Sequence, residues 1–220
     1  MSKKRVVFVG LILSAIFTAS VSVYAGNNIS KQNSARAKSA WAEAVRLAKE
    51  RNRGLVCESE AYQSSIIEQL SIAASLSPYL KKQAAINKDL KKALVGNLMY
   101  FDVTGRMSSP ADVENAIAQA KFYSIQGGVV GPSQTIQMSA NNVVSLASLS
   151  SNEDGEIGYV IVQGTYAVDQ SAGSIRIILD VAGEKTEYEL EKSTDYPAYQ
   201  LRTLGGEPIG YSNEPDDCSA

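Results

Sequence analysis

Apolar residues in the first half of the chain recur at spacings of three and four, the period of one face of an α-helix. This periodicity predicts helices over 34–53 and 58–76. Ser77 and Pro78 then suit the N-cap and the first position of a third helix, which the pattern extends to about Leu94. The polar side of this third helix carries a set of lysines: Lys81, Lys88 and Lys92, with Lys91 nearby.

The second half of the chain changes to alternation of apolar and polar residues, which is typical of strands. A short strand is predicted over 98–103, and a helix from Ser109-Pro110 to about Tyr123. Two short strands are predicted around Asn141-Asn142. An antiparallel meander with one face in water then follows. The segment 157–168 is rich in valine, isoleucine, tyrosine and threonine, 175–181 and 187–191 alternate, and glycine turns separate the three.

Together these elements predict an α+β fold, in which N-terminal helices pack on a twisted antiparallel sheet with a C-terminal β-meander. Their order is compatible with a cystatin-like or NTF2-like roll, a similarity of architecture that no motif carries. Four regions are predicted along the chain: a signal peptide, a helical region, a sheet region with one helix, and a C-terminal loop tail, over 1–25, 26–96, 97–204 and 205–220.

The N-terminal segment has the three parts of a secretory signal. Basic residues at positions 3–5 precede an apolar run, and small residues lead up to Ala25. We expect cleavage between Ala25 and Gly26, which predicts a periplasmic or secreted protein. The alternative is an uncleaved anchor, since about 20 apolar residues can span a bilayer. Contact with a membrane is therefore expected only if this segment is retained.

The charge of the chain is unevenly distributed. Residues 26–96 contain 12 basic and 6 acidic residues, a net of +6, whereas residues 97–220 contain 6 basic and 17 acidic residues, a net of −11. A chain that is acidic overall is poorly suited to nucleic acid, because phosphate contacts need lysine and arginine. The expected partner is another protein, or an anionic envelope polymer that meets the basic half.

Two cysteines and no histidine limit the chemistry that is available. In an exported chain the pair Cys57 and Cys218 is most simply a disulfide, with free thiols or pairing between chains as the alternatives. The absence of histidine excludes a Ser-His-Asp triad, a Cys-His pair and a histidine-based zinc site. No cofactor and no metal are expected.

Two groups of residues are candidates for binding a partner. The first is the lysine set of the third helix, Lys81, Lys88, Lys91 and Lys92, which is also explained as a solvated face. The second is a group of tyrosines near or in the final loops, because tyrosine is common at interfaces: Tyr196, Tyr199 and Tyr211.

Clusters of acidic residues favour structural explanations. Glu187, Glu189 and Glu191 are expected on the solvated face of a strand, where charge protects a sheet edge. The acidic segment 152–156 lacks the ligand spacing of an EF-hand and is more simply a turn between strands.

The sequence therefore favours an exported, non-enzymatic binding protein whose partner is unknown. The first alternative is a pilin-like structural subunit, because an apolar N-terminus, a long helix, a sheet and a late cysteine resemble the type IV pilin layout. A prepilin cut after Gly10 would place Ala15 where that layout has glutamate. The second alternative is a histidine-free hydrolase that uses carboxylates or a Ser–Lys pair.

Overall fold

The computed structural model of the chain describes residues 30–54, 59–124, 134–151, 157–194, 197–206 and 208–212. Helices come first and strands follow, so the chain is α+β as predicted. The described helices are α1 over 30–52, α2 Ser59–Leu76, α3 Pro78–Ile86, α4 Lys88–Ala93, α5 Leu98–Val103 and α6 Pro110–Ile117. None of these helices is both long and apolar enough to cross a lipid bilayer.

The predicted helix starts and stops are confirmed where a local signal exists. The hydroxyl of Ser77 accepts a hydrogen bond from the backbone N–H of Leu80 at 3.3 Å, and Pro78 occupies the first helical position. Ser109 caps α6 in the same way. Gly54, which follows α1, has a φ of +66°, a conformation that glycine adopts without a steric penalty.

The third predicted helix is wrong as a single element, because it is interrupted at Asn87. This residue has an extended backbone, and its side chain accepts a hydrogen bond from the N–H of Leu90 at 3.0 Å. Asn87 therefore ends α3 and caps α4. Because of this break, the apolar residues of the two helices do not form one continuous buried stripe. Leu90 is buried, whereas Tyr79 and Ile86 are exposed.

The segment 98–103 is a helix and not the predicted strand. The buried side chain of Asn97 caps α5 by accepting a hydrogen bond from the N–H of Met99 at 3.0 Å. Leu98 and Phe101, three residues apart, both point into the core. The helix capped by Ser109 also ends earlier than predicted, at Ile117. Lys121–Ser124 form the first strand.

Eight antiparallel strands form a closed barrel in simple chain order. The strands are β1 Lys121–Ser124, β2 Gln134–Ser139, β3 Val143–Ser151, β4 Ile157–Asp169, β5 Ile175–Val181, β6 Glu184–Lys192, β7 Tyr199–Thr203 and β8 Pro208–Tyr211. The meander is thus confirmed, but the sheet closes through the pair Tyr123 and Tyr211, a more specific arrangement than the predicted open sheet. β8 also lies in the region that we predicted to be a loop tail.

One hydrophobic core joins the helices to the barrel. Buried residues of the helices, such as Leu70 and Phe101, belong to the same cluster as Phe122, Ile177 and Leu201 of the strands. Polar contacts also tie the two parts together. The Nζ atom of Lys192 on β6 lies 2.7 Å from Oδ2 of Asp102 on α5. The helices therefore close one side of the barrel instead of forming a separate unit.

Candidate functional site

The longest strand, β4, has a free edge over half of its length. β3 pairs with β4 along the whole of Val143–Ser151, but β5 pairs only with Thr165–Asp169. Within the described residues, Ile157–Gln163 thus have a strand neighbour on one side only. The described part of β2 pairs with β3 as far as Gln134 and Ser148. We call Ile157–Gln163 the free edge of β4.

Large apolar side chains are exposed on both faces of this free edge. Tyr159 and Ile161, on one face, are 53% and 65% exposed, and Val160 and Val162, on the other, are 52% and 42% exposed. A strand of a barrel normally buries every second side chain. In β4 that alternation begins only at Tyr166, which is buried and donates a hydrogen bond to the carbonyl of Ser139 at 3.2 Å. The predicted single wet face is wrong for the first half of β4.

The free edge ends at Gly164 for a steric reason. A Cβ atom at this position would collide with the backbone carbonyl oxygen of Asp180 and would lie 2.8 Å from Cγ2 of Val181. Glycine allows the hairpin of β5 and β6 to approach the backbone of β4 here. Beyond this contact, towards Ile157, β5 is absent from the edge.

Among the described residues, the free edge has none of the features that usually protect an exposed strand. Protecting features are charged side chains, proline, a bulge or a covering loop. Ile157–Gln163 contain no charged residue and no proline, and their pairing with β3 has no irregularity. Contiguous exposed apolar residues of this kind mark interaction sites in native proteins. The free edge therefore offers backbone hydrogen-bonding groups flanked by apolar side chains.

The predicted lysine set is divided between two helices, with Lys81 on α3 and the other three lysines on α4. Lys81 lies on α3 next to Gly105. A Cβ atom added to Gly105 would lie 2.8 Å from Cε of Lys81. Lys92 donates a hydrogen bond to the carbonyl of Asn52, at the end of α1, at 3.4 Å. Lys91 lines a cavity between α4 and α5, and Lys88 is exposed on α4. The break at Asn87 separates Lys81 from the three lysines of α4, and the role of the set as a common binding face stays a prediction.

The predicted tyrosines also have different environments. Tyr199 begins β7 and is 7% exposed, with Nζ of Lys192 at 5.8 Å from its ring centroid. Burial raises the pKa of its hydroxyl. Tyr211 is half-buried on β8. Both residues lie at the end of a strand, next to the loops near which they were predicted, and their role in binding stays a prediction. Tyr196, both cysteines (Cys57 and Cys218) and the expected cleavage site at Ala25 and Gly26 lie outside the described residues.

Two acidic side chains with a lowered pKa serve in a helix cap and in a turn. Hydroxyls of Ser109 and Ser108 lower the pKa of Asp112 at the start of α6. The backbone N–H and the hydroxyl of Ser171 lower the pKa of Asp169 in the turn after β4. Glu187, Glu189 and Glu191 lie on the outer face of β6, and Oε1 of Glu191 is 2.5 Å from Nε of Arg202. The acidic segment 152–156 is outside the described residues.

No protein-family model, no curated protein and no solved structure matches this chain. The geometry of the described residues is therefore the basis for the function proposed below. One sequence signal for the free edge was available: the run from Tyr159 to Val162 has four large apolar residues without a polar interruption. A strand with one solvated face does not need such a run.

Proposed function

We propose that this protein is an exported binding protein that captures an extended segment of another protein at the free edge of β4. The observation that carries the proposal is the exposure of Tyr159, Val160, Ile161 and Val162 along an edge that has no strand neighbour among the described residues. In strand addition the backbone groups provide affinity, and pockets or patches for alternate side chains provide specificity. Both are available along Ile157–Gln163.

Charge favours a different protein as the partner over a second copy of this chain. The free edge belongs to the part of the chain over 97–220, whose net charge is −11. Beside the end of the free edge, the hairpin of β5 and β6 carries two carboxylates, Asp180 and Glu184, and one lysine, Lys185. Two copies that meet through this region bring like charges together, which is unfavourable. An apolar strand with basic residues at its ends suits the edge better.

The pilin-like alternative depends on the N-terminal segment, including Gly10 and Ala15, which lies outside the described residues. The proposal of a binding protein has the advantage that its surface is described residue by residue. It also accounts for a run of apolar residues that neither packs in the core nor pairs with a second strand. Export itself is part of the proposal, supported by the sequence of residues 1–26.

A synthetic nonapeptide with lysine at each end and alternating valine and threonine between them is a direct probe. We expect the peptide to bind the full chain without its signal segment, with a dissociation constant measurable by calorimetry. Ile161→Lys places a charge on the exposed free edge and should weaken binding by about tenfold or more. Ala167→Lys is the matched control, because Ala167 is exposed on the same face of β4 at a place that β5 covers.

A second peptide tests whether the backbone takes part. The same sequence with every backbone amide N-methylated has no N–H donor on either edge and cannot extend the sheet, so it should bind much more weakly. Equal binding of both peptides, or equal effects of Ile161→Lys and Ala167→Lys, would contradict strand addition. Size-exclusion chromatography addresses the other occupant: a dimer that Ile161→Lys dissociates would assign the edge to a second copy and overturn the proposal of a different partner.

A further inference from the structure

A cavity of about 310 Å³ lies between α4 and α5, away from the free edge of β4. Lys91 of α4, Leu94 and Val95 from the chain after it, Tyr100 and Phe101 of α5, and Arg106 from the turn after α5 line the cavity. Its volume is at the lower end of the range for small-molecule sites. We call it the α4–α5 cavity.

Two cations, Lys91 and Arg106, line this cavity, and no carboxylate of the described residues does. Arg106 is half-buried, and its guanidinium carbon lies 4.5 Å from the centroid of the Phe101 ring. Its backbone N–H donates to the carbonyl of Phe101 at 2.7 Å, which fixes the turn that carries it. Among the described residues, neither Arg106 nor Lys91 has an ion pair or a side-chain hydrogen bond, in contrast to Arg46, which contacts Glu43 and Glu50. A guanidinium group with five donors and no acceptor suits an anion.

The remaining walls are mostly apolar, together with Gly96 and the exposed Gln119, whose side-chain amide donates to the carbonyl of Asn115 at 2.9 Å. The hydroxyl of Tyr100 donates to the carbonyl of Ala84 at 2.9 Å, so it is not available to a ligand. Val95 is 70% exposed at the cavity although it is a large apolar residue, and Leu94 beside it is fully buried. The ring of Phe101 is held by Tyr100 at a centroid distance of 5.7 Å. A ligand here would therefore meet positive charge on one side and apolar surface on the other.

We propose that the α4–α5 cavity binds a small organic carboxylate that carries an apolar group. The planar guanidinium of Arg106, oriented by Phe101, pairs with both carboxylate oxygens, a geometry that arginine provides and lysine does not. Lys91 adds a second positive charge at the mouth, and Val95 covers the apolar group. This site is independent of the free edge of β4, so either proposal can fail without the other.

Calorimetric titration with benzoate, benzamide and inorganic phosphate separates the two parts of this recognition. Benzoate is expected to bind, and benzamide, which has the same shape without the charge, at least about tenfold more weakly. Phosphate, which has charge without an apolar group, is also expected to bind more weakly than benzoate. No heat from benzoate up to about 10 mM, or equal binding of benzamide or of phosphate, would overturn the proposal.

Variants locate the binding at this cavity. Arg106→Gln should reduce benzoate affinity about tenfold or more, and Arg106→Lys should recover only part of the loss because the bidentate geometry is missing. Lys88→Gln is the control, since Lys88 is also an exposed lysine of α4 but does not line the cavity. Circular dichroism of each variant verifies folding. Unchanged affinity in folded Arg106→Gln, or equal losses in Arg106→Gln and Lys88→Gln, would refute the assignment.

Discussion

The backbone carbonyl oxygen of Asp180 lies against Gly164, in the space that a Cβ atom at position 164 would occupy. This contact lies next to the last pair of β4 and β5, Thr165 and Asp180, because β5 ends at Val181 and the chain turns back at Ala182 and Gly183. The edge of β4 is covered on one side of Gly164 and free on the other. A single glycine thus marks the boundary between a strand of the barrel and a strand that can bind a partner.

Gly164→Ala should lower the free energy of unfolding by about 1–3 kcal/mol, because the added methyl group forces the hairpin of β5 and β6 away from β4. Urea denaturation measures the change. Gly158→Ala is the matched control in the same strand, where a Cβ atom meets nothing within 4 Å. Similar losses in the two variants would show that steric contact at Gly164 is not the cause.

Two asparagine caps should differ in their importance. The side chain of Asn97 is buried, caps α5 and donates to Oε1 of Gln63 at 3.0 Å, whereas Asn87 is half-buried and caps α4. Asn97→Ala loses the cap and the buried hydrogen bond to Oε1 of Gln63, so we expect the free energy of unfolding to fall by about 2–4 kcal/mol. In Asn87→Ala the free energy of unfolding should fall by about 1 kcal/mol. Chemical denaturation of both variants tests the order, and the reverse order would contradict this account.

Stability should decrease at high pH because of buried tyrosines. Burial raises the pKa of Tyr100 from 10.0 to about 12. Between these two values the unfolded chain loses the hydroxyl proton while the folded chain keeps it, so stability is full below pH 10 and falls as the pH rises towards 12. Urea denaturation at pH 9–11.5 measures the slope.

Tyr100→Phe provides the control for this pH dependence. The variant should have a shallower slope, because one titrating group is removed. Part of the slope should remain, since burial also raises the pKa of Tyr166, Tyr188 and Tyr199. An unchanged slope in Tyr100→Phe would mean that this hydroxyl titrates as it does in the unfolded chain.

Intact mass of the protein from its native compartment tests the predicted export and disulfide. We expect a chain that starts at Gly26 and takes two alkyl groups only after reduction, through Cys57 and Cys218. A chain that retains the apolar segment, or that is cut after Gly10, would favour an anchored or pilin-like protein. Alkylation without reduction would show free thiols.

The parts of the fold that the sequence predicts well are those with local signals. Ser77 and Ser109, each followed by proline, start helices as expected, and the strands around Asn141-Asn142 are separated where expected. Both asparagines have a positive φ, which suits a tight hairpin turn. By contrast, the residues of α5 alternate well enough to suggest a strand, and burial of Leu98 and Phe101 decides for a helix.

The features that the sequence does not reveal depend on contacts between distant residues. β7 and β8 are short, and no local pattern indicates that Tyr211 pairs with Tyr123 to close the barrel. The free edge of β4 has a visible apolar run, but the place where β5 starts to cover it depends on the register of two strands. The α4–α5 cavity needs residues from separate segments to converge, so Arg106 was not a candidate from the sequence.

Closure of the barrel through β1 and β8 has a consequence for folding. The two strands that form the seam are the first and the last of the described sheet. Among the strand pairs of this sheet, they are therefore the farthest apart in sequence, and we expect their pairing to form most slowly. Because the chain is synthesised from its N-terminus, the helices and the inner hairpins can form while β1 is paired with β2 but not yet with β8. Until β8 with Tyr211 has been synthesised, β1 has an unpaired edge in addition to the free edge of β4. During this interval the molecule most needs protection from aggregation.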